Sequence, residues 1–378
     1  MSENPLLKLK TFGQSIWLDT IRRGMLVAGG ELERSIENDG LCGVTSNPAI
    51  FEKAIDGSTD YDDAIRGLAR EGKPLAEIYE TLAVEDVGRA ADLFRKLYDR
   101  TGGGDGFVSL EVSPSLAHDT KGTVAEARRL WARLHRPNVL IKVPGTPEGL
   151  LAIRQLISEG VNVNITLLFA VPRYEEVAEA YMAGLESRLG AGGRIDRVAS
   201  VASFFLSRID VLLDPRLDKV IEGGGPRAEL ARTMHGEIAI DSARVAYRKY
   251  KAIFSTPRWR KLAGQGARPQ RLLWASTGTK NPRYSDVMYV EALIGPETVN
   301  TVPLETLEAY RLHGKPAARL EEDPAGAERR LRQLSEVGID LAGATRQLED
   351  EGVQKFIEPF NKLLASLEAK RKAALGLS

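Results

Sequence analysis

Short apolar runs alternate along the chain with longer stretches of helical periodicity. Eight runs read as strands: QSIWLD (14–19), LCGVTSN (41–47), FVSLEV (107–112), NVLIKV (138–143), VNVNITL (161–167), RVASVAS (197–203), RLLWAS (271–276) and ETVNTVP (297–303). The third, fourth and fifth are rich in β-branched and apolar residues, the pattern of strands buried on both faces. Between them lie segments with apolar positions at helical spacing, such as 123–134 and 147–158. Strand–helix alternation predicts parallel pairing through right-handed crossovers. Eight such units predict a closed (β/α)8 TIM barrel of the α/β class. An open doubly wound sheet is the alternative, but no run is followed by G-x-G-x-x-G or a P-loop pattern.

Additions are expected around this frame. Two helical patterns, 60–70 and 75–99, fall between strands 2 and 3. The stretch after strand 6 holds GGGPRAE and the helical EIAIDSARVAYRKYKAIF. Residues 326–375 read as helices with charged faces, entered at Asp323-Pro324. TGGGDG (101–106) and GAGG (190–193) read as loops. The expected organisation is one barrel domain over 1–378, with a C-terminal helical extension at about 326–375.

Composition narrows the partners. Apolar residues make up 43% and charged residues 28%, as in soluble globular chains. Lys+Arg and Asp+Glu number 52 each, so no broad basic field points to nucleic acid or an anionic membrane. The start, MSENPLLKLK, predicts no signal peptide. No run approaches the roughly 18 apolar residues of a membrane span. A single cysteine, Cys42, excludes an intrachain disulfide and fits a reducing cytoplasm. His118, His135, His235 and His313 fall in none of the usual metal spacings, so no metal is expected.

The chemistry gathers around Lys142, within VLIKVPGTPEGL (139–150). An ammonium in a buried strand costs several kcal/mol unless it is paired or loses its proton. Barrel active sites lie at the C-terminal strand ends. Asp19, Asn47, Glu111, Lys142, Thr166, Ser203 and Ser276 occupy those ends and would meet at one mouth. Desolvation favours the neutral form of an amine. A neutral amine attacks a ketone and forms a Schiff base, whose iminium is an electron sink for breaking or forming an adjacent C–C bond. Glu111 and Asp19 are available as acid and base. Hydroxyls and an amide would hold a polyol donor. No metal or organic cofactor is required, because the lysine supplies the electron sink.

The residues alone leave other readings open. Lys142 also suits a lysine that snorkels from a strand end or pairs permanently with Glu111 or Asp19. Glu111 also suits an exposed alternating position, and Asp19 a helix N-cap before Thr20. Asn47-Pro48 also reads as a turn, and Cys42 as a small buried residue.

Longer motifs carry a resemblance. GVTSNPAIFEKAI (43–55) resembles the signature around strand 2 of the transaldolase family, and LIKVPGTPEG (140–149) is similar to its Schiff-base segment. NVNITLLF (162–169), SFFLSRID (203–210) and LLWASTGTKNP (272–282) resemble its strand 5, 6 and 7 segments, in order. The length and the Trp-Ala-Ser-Thr segment look like the longer bacterial subgroup. Nothing resembles the isomerase domain fused to some relatives.

The resemblance implies a transferase of carbohydrate metabolism, in the pentose phosphate pathway. A dihydroxyacetone unit passes from sedoheptulose 7-phosphate to glyceraldehyde 3-phosphate, giving erythrose 4-phosphate and fructose 6-phosphate. It implies a Schiff base on Lys142, with Glu111 acting through a water held by Thr166. It implies that Asp19 takes the proton of the donor's C4 hydroxyl. Asn47 and Ser203 would bind donor hydroxyls, Phe205 would form an apolar wall, and Arg208 would bind phosphate beside Ser276. Shorter members carry Ala-Ser-Phe-Arg on strand 7, whose arginine also binds phosphate. Here Ala275-Ser276-Thr277-Gly278-Thr279-Lys280 departs from that, and Lys280 is the candidate replacement. Phe204 also stands where many members have proline. Sugar phosphates are the expected partners, without nucleic acid or membrane, in a cytoplasmic monomer or homodimer. The rivals are an aldolase that releases dihydroxyacetone, a non-catalytic sugar-phosphate-binding barrel and a metal-dependent barrel enzyme.

Overall fold

The computed structural model describes residues 4–376. Met1, Ser2 and Glu3, and the last two positions of the expected 1–378 domain, lie outside the described residues. All eight predicted strands form: β1 (Gln14–Leu18), β2 (Gly43–Val44), β3 (Phe107–Glu111), β4 (Val139–Pro144), β5 (Val163–Leu168), β6 (Ser200–Phe205), β7 (Arg271–Ala275) and β8 (Thr298–Val302). They close in chain order into a parallel barrel, with β8 returning to β1. Each strand except β7, whose Arg271 is half-buried, is buried along its whole length. This is why they read as continuous apolar runs and not as alternating ones.

Two strand boundaries differ from expectation. β2 shrinks to Gly43–Val44. Gly43 lies under the Trp17 indole, where a Cβ would come within 2.6 Å of the ring. β6 sits further along than the predicted 197–203. The pattern RVASVAS fits either placement locally. Pairing with β7, from Val201↔Arg271 to Phe205↔Ala275, selects the later one.

The segment after β4 shows how local sequence sets the crossover. A Cβ at Gly145 would lie 2.4 Å from Leu168 Cδ2, so a larger residue at this turn would have to push that side chain aside. Thr146 Oγ1 then accepts from Gly149 N at 3.1 Å, and Pro147 opens the helix Pro147–Glu159. The predicted 123–134 and 60–70 helices are Thr120–Leu134 and Asp62–Arg70, and 75–99 is Leu75–Arg100.

The C-terminal extension forms as helix Pro324–Gln333, a short turn, and the 35-residue helix Leu341–Leu375. The long helix packs against Pro48–Asp56, Asp62–Arg70 and Ser207–Glu222. Its own Leu363 and Leu367 are fully buried in that packing. Ser366 donates to Asp56, and Lys370 pairs with Asp62 at 2.6 Å. Phe360 stacks edge-on against Tyr79, which does the same with Phe51. Among the described residues, no helix is long and apolar enough to cross a membrane.

Candidate active site

Glu111 and Lys142 are register partners on β3 and β4, so their side chains project side by side into the mouth. Lys142 Nζ lies 3.1 Å from Glu111 Oε2 and donates to Ser46 O at 3.2 Å. The side chains are 5% and 2% exposed. Burial pushes the Glu111 carboxyl up to about 7, against the opposing pull of the Lys142 charge. The exposed-position reading of Glu111 is thereby excluded. Thr166, on β5, is buried, and its Oγ1 has no hydrogen-bond partner among the described residues.

Asp19 follows directly after β1 and caps no helix; its Oδ1 accepts from Thr45 Oγ1 at 2.6 Å. Thr45 Oγ1 also lies 2.7 Å from Thr301 Oγ1, tying β1, β2 and β8 together at the rim. Burial raises the Asp19 carboxyl above its ordinary value, while Lys142, the Thr45 hydrogen bond and Arg208 oppose it. Asn47 is a helix N-cap: Oδ1 accepts from Ile50 N at 3.1 Å. That bond uses the amide oxygen and leaves Nδ2 as the donor of a residue that also lines the mouth.

Beneath Lys142 a polar chain crosses the barrel interior. Ser203 Oγ donates to Asn164 Oδ1 at 2.7 Å, and Asn164 Nδ2 donates to Ser109 Oγ at 3.0 Å. These residues come from β6, β5 and β3, which are not all neighbours, so the chain can run only through the interior. The Ser203 hydroxyl proton is committed to this chain, which leaves its oxygen as an acceptor. The sequence reading missed Asn164. Its signal was present, since it stands two positions before Thr166 and shares its face.

Arg208 opens the helix Ser207–Glu222 and turns back over the mouth. Its guanidinium lies 5.3 Å from the Phe205 ring centroid and 5.6 Å from that of Phe356. Burial presses it below its ordinary pKa, opposed by Glu111 and Asp19, and Nη1 is buried without a hydrogen-bond partner among the described residues. Ser276, in a left-handed conformation (φ 55°), places Oγ 2.8 Å from Ser207 Oγ.

The mouth cavity thus brings together Asp19, Asn47, Lys142, Ser203, Phe205, Arg208 and Ser276, with Thr45, Thr301 and Phe356 added by the fold. Lys280 is not among them. It is exposed and faces a neighbouring cleft beside Asp210, Asp214 and Asp218. The strand 7 spacing alone could not foresee that placement. Phe356 had no sequence signal either, because it comes from the C-terminal helix. Cys42 is buried, and its thiol is pushed up to about 12 by desolvation, as a structural cysteine should be.

The chain matches the family model described as Transaldolase/Fructose-6-phosphate aldolase over residues 16–367. It is 47% identical over 377 residues to Transaldolase 2 of Nostoc sp., covering 98% of this chain and 99% of that protein. It is 46% identical over 376 residues to the Transaldolase of Trichodesmium erythraeum, with coverage of 98% and 99%. It is 46% identical over 355 residues to the Transaldolase of Thiobacillus denitrificans, with coverage of 94% and 97%.

Proposed function

The chain belongs to the transaldolase family and acts as a transaldolase, and on that premise we propose that it moves a dihydroxyacetone unit through a Schiff base on Lys142. The donor is sedoheptulose 7-phosphate and the acceptor glyceraldehyde 3-phosphate. The products are erythrose 4-phosphate and fructose 6-phosphate. The observation that carries this reading is the buried Lys142–Glu111 pair, 3.1 Å apart, whose lysine lines one cavity with Asp19.

In this reading the Lys142 amine gives up a proton and adds through its electron pair to the donor's C2 carbonyl. Glu111, poised near neutrality, protonates the carbinolamine oxygen, and water leaves to give the iminium. A water bridging Glu111 and Thr166 would satisfy the Thr166 hydroxyl and extend the proton path. Asp19 takes the C4 hydroxyl proton, the C3–C4 bond breaks, and its electron pair enters the iminium to form an enamine. The aldehyde departs. The enamine then adds to the acceptor aldehyde, Asp19 returns its proton, and hydrolysis frees the new ketose.

Asn47 Nδ2 and Ser203 Oγ suit the donor's hydroxyls. Arg208 suits the phosphate as a buried cation with an open Nη1, and Ser276 stands beside it. Phe205 walls the apolar side. The lysine itself is the electron sink, so the mechanism uses no cofactor. Sugar phosphates, a cytoplasmic setting supported by the single cysteine, and a monomer or homodimer complete the reading.

Incubation with fructose 6-phosphate and borohydride, followed by mass spectrometry, tests it. Reduction should lock a three-carbon adduct onto Lys142. Turnover that requires an acceptor aldehyde marks a transferase. Release of dihydroxyacetone without an acceptor marks an aldolase. An adduct on another lysine would overturn the mechanism.

A further inference from the structure

Phe356 closes the mouth from outside the barrel. It belongs to the helix Leu341–Leu375 and is only 4% exposed. Its ring centroid lies 5.4 Å from Lys142 Nζ, within the ~6 Å over which an aromatic face attracts a cation. The helix comes this close because of Gly352, one turn earlier. A Cβ there would meet Leu167 Cδ2 at 3.0 Å and lie 3.6 Å from Arg208 Nη1. The ring is therefore held over the amine by backbone packing and not by a loop.

We propose that the Phe356 ring stabilises the cationic iminium on Lys142 through its π face, an inference that rests on the Schiff-base reading above. In that step Nζ forms a bond to C2 and loses one proton. The carbonyl oxygen takes up two protons, one of them from Glu111, and leaves as water. The nitrogen, neutral before the step, ends with one positive charge. Lys142 is 4% exposed, so little water is present to solvate that charge. Around the nitrogen stand the Glu111 carboxylate at 3.1 Å, the Ser46 carbonyl at 3.2 Å and the ring at 5.4 Å. The ring offers its negative face without adding a group that could trap the substrate's hydroxyls. It also stands 5.6 Å from the Arg208 guanidinium.

A plain apolar wall would look the same in the structure but would respond differently to substitution. Mono-, tri- and pentafluorophenylalanine placed at position 356 keep the ring's shape while draining its negative face. The measurement is the rate of borohydride trapping on Lys142 with limiting fructose 6-phosphate. The rate should fall stepwise with fluorination, by roughly 2- to 30-fold across the series. Phe356→Leu should resemble the pentafluoro form, and Phe356→Trp should retain trapping. A flat response across the fluorinated series overturns this inference and leaves the Schiff base standing. Absence of any Lys142 adduct in the native protein removes both.

Discussion

Glu111 and Lys142 face each other across two adjacent strands in register, and their charged ends meet 3.1 Å apart with almost no exposure to solvent. Such a pair is costly to desolvate and is destabilised when either partner is removed. Its position at the barrel mouth ties that cost to the chemistry.

Lys142→Met should abolish borohydride trapping and lower transfer by at least about 1000-fold, because the nucleophile is gone. Methionine fills the stem's volume but leaves Glu111 without its cation. The Glu111 carboxyl should then shift further upward. Mass spectrometry with fructose 6-phosphate, alongside a turnover assay, checks the first expectation.

Stability should depend on pH through Glu111. Its folded pKa, about 7, lies above its ordinary 4.5. Between these values the folded protein holds a proton that the unfolded chain has lost. This contribution is therefore full below 4.5 and is lost as pH rises through about 7. Glu111→Gln should flatten the fall in unfolding free energy between about pH 5 and about pH 8. It should also slow transfer by about 100- to 10,000-fold and remove an ionisation near neutrality from the rate profile. Denaturant titrations at the two pH values give the comparison of slopes. An unchanged slope would place the proton elsewhere.

Asp19→Asn keeps the oxygen that accepts from Thr45 but cannot take up the C4 proton. Schiff-base formation should survive while C–C cleavage stalls. Borohydride should then trap the intact six-carbon phosphate on Lys142 instead of the three-carbon fragment. A three-carbon adduct at the native rate would remove Asp19 from the cleavage step.

Arg208→Ala should raise KM for phosphorylated donors by about 10- to 150-fold, the loss of a charge-assisted contact. It should leave unphosphorylated fructose as donor nearly unaffected. Lys280→Ala should change neither by more than about twofold, since exposed charges contribute little. Steady-state kinetics with both donors separates the two cations.

Gly43→Ala should destabilise the fold by ~1–3 kcal/mol, because the new methyl would press on the Trp17 ring beneath the site. A lowered denaturation midpoint is the expected result.

The repeating strand–helix pattern was enough to determine the barrel. Eight runs buried on both faces have few other ways to pair in parallel, and right-handed crossovers fix their order. Local sequence also determined which residues stand at strand ends, because strand, turn and capped helix follow one another within a few positions, as at Val143 to Pro147. Motif resemblance supplied roles that periodicity could not.

Tertiary structure decided what depends on contacts distant in sequence. Pairing with β7 set the register of β6. Ser109, Asn164 and Ser203 became one hydrogen-bonded chain only when β3, β5 and β6 closed around a shared interior. The chain after Ser276 set Lys280 in a neighbouring cleft, and the last long helix brought Phe356 onto Lys142 from more than two hundred residues away. Periodicity is a local property and can be read along the chain. The electrostatic environment of a buried amine is the sum of groups brought together by packing, and only the closed barrel assembles it.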